Sequence, residues 1–157
     1  MDLLAILMNS LWAGLFASGL GILLTAPARY LVPTFLCGFA GRLARDVFMI
    51  WGMGQNWSTA VAAAFVVLVA VGIIRRHLES PVVLVSGVLP LGAAVAMFNA
   101  IVALMNLSHL EGEALSRASV ALSANTGKVF TTSLAIALGL AAGIAIVRLF
   151  SRERGGE

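Results

Sequence analysis

The chain has 157 residues, of which 61% are apolar and 11% charged, with a formal net charge of +3. Soluble domains are about 45 to 50% apolar and about 25% charged, so a soluble core of this size, which could not cover that much apolar surface, is excluded. The positive balance does not indicate nucleic-acid binding either, because the Lys and Arg residues are scattered at the edges of apolar runs instead of forming one basic face.

Five apolar segments approach or exceed the roughly 17 to 25 residues that a membrane-spanning helix needs. They predict an all-α, polytopic helical membrane protein of about five transmembrane helices, a single integral membrane domain over 1–157 embedded in the lipid bilayer. The first span, Leu3 to Leu24, is broken only by Asn9, Ser10 and small residues, and ends before Thr25-Ala26-Pro27. Ala26-Pro27-Ala28 superficially matches a small-x-small cleavage site. However, Asp2 without any Lys or Arg before a long apolar run argues for a retained helix. Ala13, Ala17 and Gly21 form a ladder of small residues along it.

The second span, Thr34 to Met53, follows Pro33, which suits a helix start. Inside it lie Arg42, Arg45 and Asp46. Charge in hydrocarbon is costly, so such residues by default mark a solute or ion route. At about 1.5 Å per residue, Arg45 lies roughly 16 Å from the entering end, near the middle of a core about 30 Å thick. Arg42 is shallower and can snorkel. Arg42 and Asp46 are four apart and can pair, which leaves Arg45 over. A guanidinium there offers a forked, permanently protonated donor set suited to a carboxylate. The alternative is an ion network, within the chain or to a partner, that never touches solute.

The third span, Ser58 to Ile74, is the shortest and stops at Arg75-Arg76-His77. The fourth, Val82 to Met105, follows Pro81 and contains Ser86-Gly87-Val88-Leu89-Pro90-Leu91-Gly92, then Asn99. Proline removes a helical hydrogen bond and glycine weakens the helix, so a break or kink is expected near Pro90. Broken helices expose backbone groups at many transporter sites, although on local sequence alone an ordinary kink whose freed carbonyl is satisfied by neighbours is the plainer reading. Asn99, deeper in the span, suits either an interhelical hydrogen bond or a solute contact.

The fifth span, Val129 to Phe150, repeats small residues every four positions at Thr131, Ala135, Gly139 and Gly143, a pattern that allows close helix approach. Before it, 107–128 is a polar connection in which Glu113 to Ser123 keeps Ala and Leu at helical spacing and can extend the span. Residues 151–157 form a cytoplasmic tail. With five crossings, one side holds Arg29, Arg75, Arg76, Arg148, Arg152 and Arg154, the other Arg117 and Lys128. The positive-inside rule then places the N-terminus outside and the C-terminus in the cytoplasm. Four crossings with a re-entrant segment would bring both ends to one side.

Other polar positions carry less. Asn9 and Asn106 fall near span ends, His77 beside Glu79 reads as a solvated interface residue, and Trp12, Trp51 and Trp57 mostly fit an aromatic belt. The lone Cys37 has no disulfide partner. Neither a GxSxG, an HExxH, a phosphate-binding loop nor a cysteine pair is present, so no enzyme, cofactor or metal is expected.

The order of spans, Pro27-Ala28-Arg29, Gly38-x-x-Gly41 followed by Arg45, Asn56-Trp57-Ser58-Thr59 opening span three, and Pro90 together resemble the threonine/serine exporter family. The match is to its small subunit, which corresponds to the C-terminal half of the single-chain exporters. The resemblance implies a bacterial inner-membrane exporter of small carboxylate-bearing solutes: threonine, serine or a dicarboxylate such as succinate. It also implies a larger partner subunit related to the N-terminal half. Where the family tends to have Pro-Gly three and four residues after the first proline, and then Tyr, this chain has Ala93, Ala94 and Phe98, so a less pronounced break is expected.

Residues and resemblance together nominate Arg45, Arg42, Asp46, Pro90 and Asn99 as substrate-binding positions at a midplane cavity between spans two and four. Five helices are few for a complete transport path, so an oligomer is expected. A non-transporting scaffold or assembly subunit, or an oligomeric channel, are the competing functions. If Arg45 were sealed by protein and remote from a vestibule, direct handling of cargo would lose its support.

Overall fold

The computed structural model describes residues 3–74, 81–107 and 111–154. It is helical, with no strand among the described residues: α1 Leu3–Leu23, α2 Leu31–Ile50, α3 Gln55–Ile74, α4 Pro81–Val88, α5 Ala93–Leu107 and α6 Gly112–Arg154, plus 3-10 turns at Ala28–Tyr30 and Leu89–Leu91. Three helices, α1, α3 and α6, are long and apolar enough to cross a membrane, and a fourth crossing results if the interrupted pair α4 and α5 is one span. α2 is also 20 residues long but carries three charges. The expected polar connection is helical from Gly112 onward, so the Ala and Leu spacing there does extend the last helix.

Two compact units divide the chain: Met1–Leu91 with Ala135–Glu157, and Gly92–Leu134. α6 contributes to both. The second unit consists of α5 and the first part of α6, whose hydroxyl and amide side chains bond to their own backbone, as Ser119 to Ser116 and Asn125 to Ala121. Arg117 pairs with Glu113 at 2.6 Å on an exposed surface.

In the first unit, helix ends follow local chemistry. After α1, Thr25 adopts φ 56°, Ala26 N–H donates to the Gly21 carbonyl and Thr25 N–H to that of Ile22. After α2, Gly52 at φ 84° does the same, with Met53 donating to Phe48 and Gly52 to Met49. Both are Schellman caps, which satisfy carbonyls that have no helical partner. α2 begins at Leu31, so Pro33 falls in its first turn, where backbone N–H groups have no intrahelical acceptor to lose.

Packing rests on small residues, because apolar helices in lipid gain by close contact rather than by leaving water. α1 buries Ile6, Ser10, Ala13, Gly14, Ala17 and Gly21 on one face. This face meets α2 so tightly that a Cβ on Gly38 would stand 2.5 Å from the Ala17 Cβ. Val66 of α3 fills the space over Gly41 and Gly87, joining α2, α3 and α4 in a core with Cys37, Ala62, Ala63, Val83, Val88 and Leu91. The ladder on α6 finds its partner in α3: Gly139 lies against the Ala60 carbonyl and Gly143 against Val67 and Ala64. Three buried hydroxyls donate to backbone carbonyls four residues earlier, Ser10 to Ile6 at 2.8 Å, Thr34 to Tyr30 at 2.6 Å and Thr59 to Gln55 at 2.7 Å.

Candidate functional site

α2 contacts α1, α3 and α4 and presents its charges on the packed side. Arg42 Nε donates to Asp46 Oδ2 at 3.1 Å, the pairing expected from their spacing. Asp46 is 5% exposed, and Arg42 keeps its side chain at 27%. This pair neutralises itself and leaves Arg45 without a carboxylate among the described residues.

Arg45 is 6% exposed. One terminal nitrogen donates to the backbone carbonyl of Leu91, 46 residues away, while its Nε has no hydrogen-bond partner among the described residues. The reason for this contact is the break after α4. Pro90 has no N–H to give the Ser86 carbonyl, so the helix tightens into the Leu89–Leu91 turn. Gly92 then takes φ 126°, a conformation open to glycine. The carbonyl of Leu91 is left at the negative end of a terminated helix, where a cation is favoured. Gly41, one turn before Arg45, brings the elements close: a Cβ there would lie 3.8 Å from the Gly87 carbonyl and 3.7 Å from the Leu91 side chain.

The break is well formed although Pro-Gly is missing at 93 and 94, because Gly92 performs the second half of the interruption. Sequence reasoning named Pro90 but not Leu91, whose contribution is a backbone oxygen and leaves no trace in residue type. In the sequence, Ser86 stands out only as part of the stretch Ser86 to Gly92. Its hydroxyl is fully buried and unpaired among the described residues, and the four-residue spacing to Pro90 could have singled it out.

Asn99 lies on α5 in the second unit and is exposed. The cluster Arg75, Arg76, His77 and Glu79, and also His109, lie outside the described residues. A groove of about 360 Å³ runs along the opposite face of α2, lined by Phe39, Leu43, Val47, Phe48, Trp51 and Phe65 among others. It is apolar and does not include Arg45, which is buried.

Long apolar helices make this a multi-pass helical membrane protein. The family model described as threonine/serine exporter, ThrE, matches residues 9–150, and the chain belongs to that family of membrane transporters. No solved structure matches it.

Proposed function

We propose that the chain is a subunit of a bacterial inner-membrane exporter of small carboxylate-bearing solutes, with threonine, serine or a dicarboxylate such as succinate as cargo. It works with a larger membrane partner subunit and as part of an oligomer. Its N-terminus lies outside and its C-terminus in the cytoplasm, which reporter fusions at each end would test. The observation that carries the proposal is the match to the threonine/serine exporter family over residues 9–150; Arg45, buried and held by a neutral carbonyl with its Nε–H unpaired among the described residues, is the candidate group for the carboxylate.

A carboxylate bears a full charge where the Leu91 carbonyl bears a partial one, so it is the stronger partner for the fork. Exchange of carbonyl for carboxylate releases the Leu89–Leu91 turn and couples binding to movement of α4. Arg42 and Asp46 keep the surroundings neutral. Pro90 creates the exchangeable carbonyl, and Asn99 is a further polar candidate on the solute path. Substituting Arg45→Gln in a strain dependent on export should abolish efflux at unchanged membrane assembly. Unchanged efflux would defeat the carboxylate role.

The burial of Arg45 also favours a second reading, in which it only pins the helix break of a scaffold subunit. Arg45→Gln would then lower the amount of assembled protein, while the efflux per assembled chain stayed as in the parent.

A further inference from the structure

We propose that the outward face of α1 is a helix–helix interface on which a second copy of this chain docks within the membrane. α1 has two faces. Its inner face packs on α2, whereas Ala5, Asn9, Trp12, Phe16 and Gly19, spaced to lie on one side, are all exposed. Trp12 is 62% and Phe16 52% exposed, and a Cβ on Gly19 would meet nothing within 4 Å.

Two polar groups sit on this stripe deeper in α1 than the span-end and aromatic-belt positions that the sequence suggests for Asn9 and Trp12. At about 1.5 Å per residue, Asn9 and Trp12 lie roughly 9 and 14 Å inside the start of α1, within a hydrocarbon core about 30 Å thick. Trp51 and Trp57, flanking the α2–α3 turn, suit a membrane boundary; Trp12, the tenth of 21 residues, does not. Neither the Asn9 amide nor the Trp12 indole N–H has a partner among the described residues. Hydrocarbon offers them none, and polar side chains at such depth bond across helices.

The chemistry of the stripe points to an identical helix as occupant. Copies of one chain insert in one orientation, so a two-fold axis between them stands normal to the membrane and equivalent residues meet at equal depth. Asn9 then faces Asn9. An amide carries both donor and acceptor, so two of them close a reciprocal pair of hydrogen bonds. Ala5 and Gly19 are small enough for the two backbones to approach. This inference needs only membrane insertion and does not depend on the role of Arg45.

The test uses the full chain in native membranes with Cys37→Ala, and single substitutions Ala5→Cys, Trp12→Cys, Phe16→Cys and, pointing away from the stripe, Leu11→Cys. Oxidation should give a band of twice the chain's mass from the stripe positions and little from Leu11→Cys, with all four inserted equally. Adding Asn9→Ala to Phe16→Cys should reduce that band about tenfold, while Asn9→Gln preserves it. Equal cross-linking at Leu11→Cys, no dimer from any stripe position, or products only with a co-expressed heavier membrane protein would overturn the proposal.

Discussion

The Arg45 guanidinium caps the backbone carbonyl of Leu91, joining the middle of α2 to the point where α4 gives way to the Leu89–Leu91 turn. A side-chain cation thereby performs, from another helix, the task that a following turn of helix would perform. The donor is permanently charged and the acceptor is a lone backbone oxygen, so charge and fork geometry are separable. Arg45→Lys keeps the charge but offers no fork. We expect normal assembly with efflux reduced about tenfold, as one hydrogen bond to a charged group is worth about 1.5–3 kcal/mol. Transport of labelled threonine, normalised to membrane-inserted protein, measures it; full activity would show that charge alone suffices.

Pro90 should trade stability for function. Pro90→Ala supplies the N–H that the Ser86 carbonyl lacks and removes a residue that costs about 3 kcal/mol inside a helix. The expected variant is more resistant to thermal unfolding in detergent, yet exports less because the Leu91 carbonyl is no longer presented to Arg45. A stabilised variant with parental efflux would separate the break from transport.

Glycines on α6 give a comparison within one helix. Gly139 lies against the Ala60 carbonyl, a backbone atom that cannot swing aside, whereas nothing lies within 4 Å of a Cβ on Gly127. Gly139→Ala is expected to lower the unfolding midpoint by an overpacking cost of about 1–3 kcal/mol. Gly127→Ala is expected to raise it, by up to about 1 kcal/mol of helix propensity. Equal effects of the two would contradict the close contact between α3 and α6.

Much of this was legible in the residues because lipid makes composition speak plainly. Apolar runs located the helices, the four-residue spacing located the Arg42–Asp46 pair, and the depth of Arg45 marked it as the group left over. Its partner was hidden for a physical reason: a carbonyl belongs to every residue, and only the fold determines which one lies 46 residues along the chain from the guanidinium. The same holds for the ladder Ala135, Gly139 and Gly143, whose periodicity promised a neighbour without naming α3. Glycine at 92 was visible, but its positive φ depends on the helix stopping there.

Arg42 and Asp46 should behave as a unit. Asp46 is nearly sealed, and its carboxylate is the one negative charge paired near two arginines in this apolar stretch among the described residues. Asp46→Asn leaves Arg42 and Arg45 as uncompensated cations less than one turn apart. Breaking a buried pair in this way costs about 3–5 kcal/mol, and the partial exposure of Arg42 puts the expectation at the lower end. Arg42→Gln strands the carboxylate instead, although Arg45 remains close enough to offset part of that cost. The double variant Arg42→Gln with Asp46→Asn removes both charges at once and should recover most of the stability lost by Asp46→Asn alone. A double-mutant cycle on unfolding midpoints in detergent measures the coupling. Simple additivity of the two single effects would mean that the 3.1 Å contact contributes nothing, and that Arg45 is not kept free of a carboxylate by its neighbours.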